Sequence, residues 1–154
     1  MSDRDELVEL MARYASIPDT GDWVELPQTV FTDPFEADFE SLSGRPGVTG
    51  SRDALVGAMA PGLAAFTATH HAVTNHRITV DGDHATIRAH IRAEHWLPAQ
   101  LAGDGPACWL VVGFYDDEAV RTADGWRISK VKLTVTHQEN AHVMAVAHAA
   151  ARRR

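Results

Sequence analysis

The chain has one cysteine, Cys108, in 154 residues. An internal disulfide and any multi-cysteine metal site are thereby excluded. Long apolar runs are missing too, and none approaches the roughly 18 residues that span a bilayer. The opening MSDRDELVEL is acidic and amphipathic, where a secretory leader would be basic and then apolar. Positive charge is scarce: 14 Lys+Arg against 21 Asp+Glu leave a net charge of −7. Such a surface repels phosphate backbones, and the short Arg152-Arg153-Arg154 tail does not reverse it, so no nucleic-acid role is expected. There is no glycine-rich phosphate loop, no HExxH and no nucleophile elbow, which removes nucleotide, zinc-hydrolase and acyl-transfer chemistry. Repeats, low-complexity tracts and linkers are also absent. The expectation is one domain over residues 1–154, cytoplasmic, with no membrane association and no cofactor or metal.

What is present reads as helices first and strands afterwards. Ser2 with Asp5, or Asp3 with Glu6, forms a capping box, and Leu7, Leu10, Met11 and Tyr14 follow at helical spacing. Pro18 should stop that helix. After the turn Asp19-Thr20-Gly21-Asp22, a short second helix carries Trp23 and Leu26 until Pro27 disturbs it. A strand is expected near Ala37–Leu42 and a turn at Gly44–Gly47. Ser51 caps a third helix through Leu55, Val56, Met59 and Leu63, which Pro61 should kink or divide. From Thr69 the apolar period becomes two. Strands are predicted over His70–Val80, His84–Trp96, Trp109–Asp116 and Trp126–Thr136, with turns at Asp81-Gly82-Asp83 and Ala123-Asp124-Gly125. Asp116-Asp117-Glu118 reads as a solvated acidic turn, and an Ala-rich C-terminal helix covers about 140–154. The pattern is α+β: an antiparallel sheet covered by helices.

Nine histidines invite a metal hypothesis, and strand parity tests it. Within His84–Trp96, Ala85, Ile87, Ala89, Ile91, Ala93 and His95 share one apolar face, so His95 turns inward with three small alanines. Small apolar residues around one titratable group suit a lined cavity. His70 and His71 face opposite ways, as do His90 and His95, and no pair is placed to chelate an ion. His71 and His95 can meet in one interior from two strands. Either both are core histidines bonded to backbone, or they are an acid–base pair. Asp19, just after a helix, can reach a concave sheet face and fix an imidazole for proton abstraction. Asn75 shares the parity of His71, which allows either pocket lining or a strand-end hydrogen bond. Trp109 is either a core anchor or part of a pocket wall.

The segments Tyr14…Asp19-Thr20-Gly21-Asp22-Trp23…Phe31, Thr69-His70-His71…Asn75…Val80-Asp81-Gly82-Asp83…Ala85 and Gly125-Trp126-Arg127-Ile128 together resemble the SnoaL-like branch of the nuclear transport factor 2 superfamily, from about Asp5 to His137. The resemblance implies a cone-shaped α+β fold: a strongly curved antiparallel sheet wrapped around N-terminal helices, with a deep pocket. It also implies a homodimer or higher homo-oligomer formed through the sheet. In site residues the chain is most similar to the scytalone dehydratases and bile-acid 7α-dehydratases. That similarity puts the catalytic aspartate at Asp19, the histidines at His71 and His95, and a tyrosine five residues before the aspartate at Tyr14. Pro18 stands where scytalone dehydratases carry a tyrosine, and Phe39 or a neighbour replaces a second one. Tyr14 or Tyr115 is left to polarise a carbonyl.

The implied activity is a cofactor-independent lyase of the dehydratase kind, acting on a hydrophobic, oxygenated small molecule such as a polyketide or steroid-like ring. His71 would be the base, Asp19 its orienting partner, and His95 the group that positions or protonates the departing hydroxyl. Tyr14 would bond the enolate, with Asn75, Phe39 and Trp109 against the substrate. A polyketide cyclase or double-bond isomerase in the same pocket is the second reading, and a non-catalytic ligand-binding module the third.

Overall fold

A computed structural model describes residues 1–154. Helix α1, Asp3–Thr20, opens on the Ser2–Asp5 capping box: Ser2 Oγ accepts from the Asp5 N–H, and the Asp5 carboxylate accepts from the Ser2 N–H. Leu7, Leu10, Met11 and Ile17 form its buried stripe. The helix runs through Pro18, contrary to the sequence expectation. A proline so near the C-terminus removes a single backbone bond, and its fixed φ is already helical. Gly21 does the stopping, at φ 74°, with its N–H bonded to the Ile17 carbonyl. The extra turn keeps Asp19 on the helix.

Trp23 lies outside any helix, because Asp22 Oδ1 accepts from the Val24 and Glu25 N–H groups and holds a turn there. Pro27 then opens α2, Leu26–Val30, instead of disturbing it. The first strand, β1, is Phe31–Asp38 rather than 37–42. Phe31, Phe35 and Ala37 point into the core, and residues 40–43 form the short helix α3, Glu40–Ser43. Strand β2, Val48–Gly50, pairs with β1, and Ser51 caps α4, Arg52–Ala64, which continues past Pro61.

The long strands are β3 (Ala68–Asp81), β4 (His84–Trp96), β5 (Cys108–Thr122) and β6 (Gly125–Glu139), with α5, Ala99–Ala102, between β4 and β5 and α6, His142–Ala151, at the end. They make one curved six-stranded sheet in the order β2-β1-β6-β5-β4-β3. All pairs are antiparallel except β1 with β6, which is parallel. These two strands are separated by most of the chain, so no hairpin dictates their relative direction.

Irregularities bend the sheet. Between Thr74 and Arg77 the β3–β4 register slips, with Asn75 at φ 58°. Gly113 marks another slip on β5, where a Cβ would lie 2.0 Å from the Thr134 carbonyl oxygen. Asp116, Asp117 and Glu118 belong to β5 rather than to a turn. Asp117 is 1% exposed, with Oδ1 accepting from the Lys132 N–H and Oδ2 unpartnered, and burial drives its pKa well up. The β4 alternation is as the parity argument requires, with Ala85, Ile87, Ala89, Ile91, Ala93 and His95 all buried. No helix is long and apolar enough to cross a membrane.

Candidate active site

The concave face of the sheet and the inner faces of α1, α3, α4 and α6 enclose a cavity of about 330 Å³. Hydrophobic side chains, Tyr14 and Tyr115 counted among them, make up 19 of its 24 lining residues, and Lys, Arg, Asp and Glu are absent from the lining. Its polar groups are Tyr14, Tyr115, His71, His95, Ser43 and His148.

The last turn of α1 delivers Asp19 to the start of β3. Asp19 Oδ1 accepts from His71 Nδ1 at 2.7 Å and from Thr69 Oγ1 at 2.8 Å, and Oδ2 accepts from the His71 backbone N–H at 2.8 Å. Burial works against ionisation of this carboxyl, but the bonds from His71 and Thr69 outweigh it and hold the pKa below its ordinary value. A carboxylate can only accept, so His71 carries its proton on Nδ1 and, when neutral, has its lone pair on Nε2. The pair is largely shielded, with side chains 11% exposed at His71 and 21% at Asp19.

His95 arrives from β4, 3% exposed, with its ring 5.1 Å from that of His71 and perpendicular to it. It stacks on Trp109 at 4.4 Å and tilts against Phe66 at 5.2 Å. Nδ1 of His95 lies 3.2 Å from the Trp109 carbonyl, which accepts the proton there. Burial, and after it the neighbouring His71, lower the His95 pKa to about 4. The ring is therefore neutral at physiological pH. Trp109 is in turn held by its Nε1–H, which donates to Gln138 Oε1 at 2.9 Å.

Tyr14 of α1 and Tyr115 of β5 face each other with ring centroids 5.3 Å apart. Burial, mainly, raises both phenol pKa values, so both stay protonated, and Tyr14 donates to Tyr115, which leaves the Tyr115 O–H as the donor of the pair. Phe39 lines the cavity beside α3, and Trp109 does so from β5. Asn75 does not belong to this group: it sits exposed in the β3 bulge, where the slipped register cancels the parity it shared with His71.

Four contributors went unseen in the sequence. Thr69 supports Asp19, Phe66 packs on His95, Gln138 anchors Trp109, and His148 lines the cavity from α6 against Gly62. Thr69 shares the inward parity of His71, and Met144 and His148 lie four apart on the tail helix, so two of the four left a periodic trace.

Comparison with known proteins bears on the family and the fold. A solved protein of Kribbella flavida, Kfla4162, superposes with a TM-score of 0.91 at 57% identity, over 93% of this chain and 97% of its own. A Novosphingobium aromaticivorans structure, provisionally described as a scytalone dehydratase, superposes with a TM-score of 0.75 at 22% identity, over 89% of this chain and 86% of its own, a likeness of fold. In sequence, the uncharacterized protein Rv2910c of Mycobacterium tuberculosis is 32% identical over 128 residues, which is 83% of this chain and 82% of that protein. The SnoaL-like domain profile matches residues 1–132, from the capping box of α1 into β6, and so takes in every residue of the His71–Asp19–His95–Tyr14 cluster; the chain belongs to the SnoaL-like family.

Proposed function

We propose that the chain is a cofactor-independent lyase of the dehydratase kind, acting on a hydrophobic, oxygenated small molecule. The observation that carries this is the 2.7 Å Asp19–His71 pair opening onto an apolar cavity beside an uncharged second histidine. His71 Nε2 removes a proton α to a carbonyl. Asp19 holds the tautomer and stabilises the imidazolium that forms, and the Tyr14–Tyr115 pair, kept as phenols, donates to the carbonyl oxygen as it gains enolate charge. The β-carbon–oxygen bond then breaks, and the proton held on His71 leaves with the oxygen as water. Neutral His95, with its proton committed to the Trp109 carbonyl, suits the positioning of that hydroxyl rather than its protonation. General acid–base assistance of this kind contributes roughly 10²–10⁴ in rate.

Mass spectrometry of wild-type and His71→Ala protein with β-hydroxy ketones and cyclic polyketides tests the reading. The expected result is loss of 18 mass units that requires His71. A product of unchanged mass would make the protein an isomerase or cyclase, and full turnover by folded His71→Ala would remove His71 as the base.

A further inference from the structure

The same cavity carries a statement about what it admits. Its lining contains no Lys, Arg, Asp or Glu; of the carboxyl groups nearby, Asp19 is occupied by His71 and Thr69 and stands behind them, and Asp117 is buried beneath the tyrosines on the Lys132 N–H. An anionic ligand group entering here would lose its water and meet no cation, a cost that burial of an unpaired charge makes large. At the inner end, the hydrogen-bonding directions are fixed. The Tyr14–Tyr115 pair, bonded to each other, offers a phenol donor. His95 cannot offer one to the cavity: its single proton is directed from Nδ1 to the Trp109 carbonyl, and stacking on Trp109 and packing on Phe66 keep the ring from turning over. Its Nε2 has no protein partner and is left as a lone pair. Depression of the His95 pKa by burial is consistent with that state.

We infer that the cavity selects uncharged ligands carrying a free hydroxyl, which donates to His95 Nε2, and that it rejects carboxylates and the ether or halide analogues that lack the O–H. The inference deepens the lyase reading, since it concerns the same site, but it stands on the lining and on the orientation of His95 without needing turnover. It narrows the substrate class to neutral hydroxylated carbonyl compounds. Ligands that must bring an anionic group into the cavity, free acids among them, are excluded. It also disfavours elimination of halide, because no cation lines the cavity to receive the anion and the His95 lone pair has no proton to meet on a halogen.

Binding alone tests this, read through the fluorescence of Trp23 and Trp109, both of which line the cavity. Three probes share one ring system: 2-naphthol, 2-methoxynaphthalene and 2-naphthoate, titrated at pH 7. Wild-type protein should hold 2-naphthol roughly five- to tenfold more tightly than the methyl ether, the worth of one accepted hydrogen bond, and at least about a hundredfold more tightly than 2-naphthoate. His95→Phe should erase the preference for naphthol over its ether and leave naphthoate rejected, whereas His95→Gln, which retains an acceptor, should restore part of the preference. If either variant does not fold by circular dichroism, the wild-type ratios decide. Equal binding of naphthol and its ether by the wild type would overturn the role given to His95, and naphthoate binding as tightly as naphthol would overturn selection for neutral ligands. Failure of the dehydratase reading shows elsewhere, as absence of an 18-unit loss, and leaves these ratios untouched.

Discussion

His71 and His95 are the same residue type, 5.1 Å apart, at the inner end of one cavity, and they differ in what their Nδ1 atoms meet. At His71 it is a carboxylate, held ionised by two further hydrogen bonds. At His95 it is a backbone carbonyl, inside an apolar stack of Trp109 and Phe66. The first environment welcomes an imidazolium, and the second forbids one. Proximity would make two charged histidines repel, and burial together with that repulsion lowers the proton affinity of His95. In the proposed reaction one histidine moves a proton and the other holds a hydroxyl still.

Two substitutions break the contrast from opposite sides. Asp19→Asn has the larger expected effect. It keeps the shape but removes the charge that stabilises the His71 imidazolium, and the amide can present an N–H where the carboxylate accepted a proton. Steady-state turnover of the dehydrated substrate should fall about 10²-fold or more, with binding of 2-naphthol little changed. Unchanged turnover would mean that the pair is structural.

The effect of acid on folding is smaller and tests the other side. The His95 pKa is depressed from 6.5 to about 4, so between those values the unfolded chain binds the proton that the folded chain refuses. Stability should therefore fall as pH drops from above 6.5 toward 4, by up to about 3 kcal/mol from this residue. The lowered pKa of Asp19 acts in the same sense at still lower pH, its contribution being lost as the carboxylate protonates. Urea unfolding at pH 7 and pH 4.5 should show the drop in wild type and a shallower one in His95→Gln. Parallel curves would place the buried charge cost on another group.

Much of this was legible in the sequence because strands convert spacing into direction. The alternation along β4 turned His95 inward with Ala89, Ile91 and Ala93, and the boundaries of β4 matched the apolar period. Asp19 was expected in the turn just after the first helix and lies instead in its last turn, because Gly21 in the left-handed conformation ends the helix and Pro18 costs only one bond so near the end. The other misses share a cause. Parity counts residues, and a bulge inserts one. The slip between Thr74 and Arg77 carried Asn75 out to solvent. A similar blindness affected Asp116-Asp117-Glu118, whose acidity reads as a turn. In the folded chain Asp116 pairs with Arg88, and Asp117 is inserted beside β6, where it takes the Lys132 N–H. These are contacts between strands, with no local signature. The parallel pairing of β1 with β6 is likewise a tertiary event, invisible to any local pattern.

The most direct test of the account is nitrogen NMR of protein carrying ¹⁵N-labelled imidazoles, titrated from pH 8 to pH 4. The account predicts that both His71 and His95 hold their proton on Nδ1 at the upper end, and that His95 remains uncharged until the pH nears 4. A His95 that carries its proton on Nε2, or that becomes an imidazolium near pH 6.5, would contradict it, because the cavity would then present a donor where the proposed chemistry requires an acceptor.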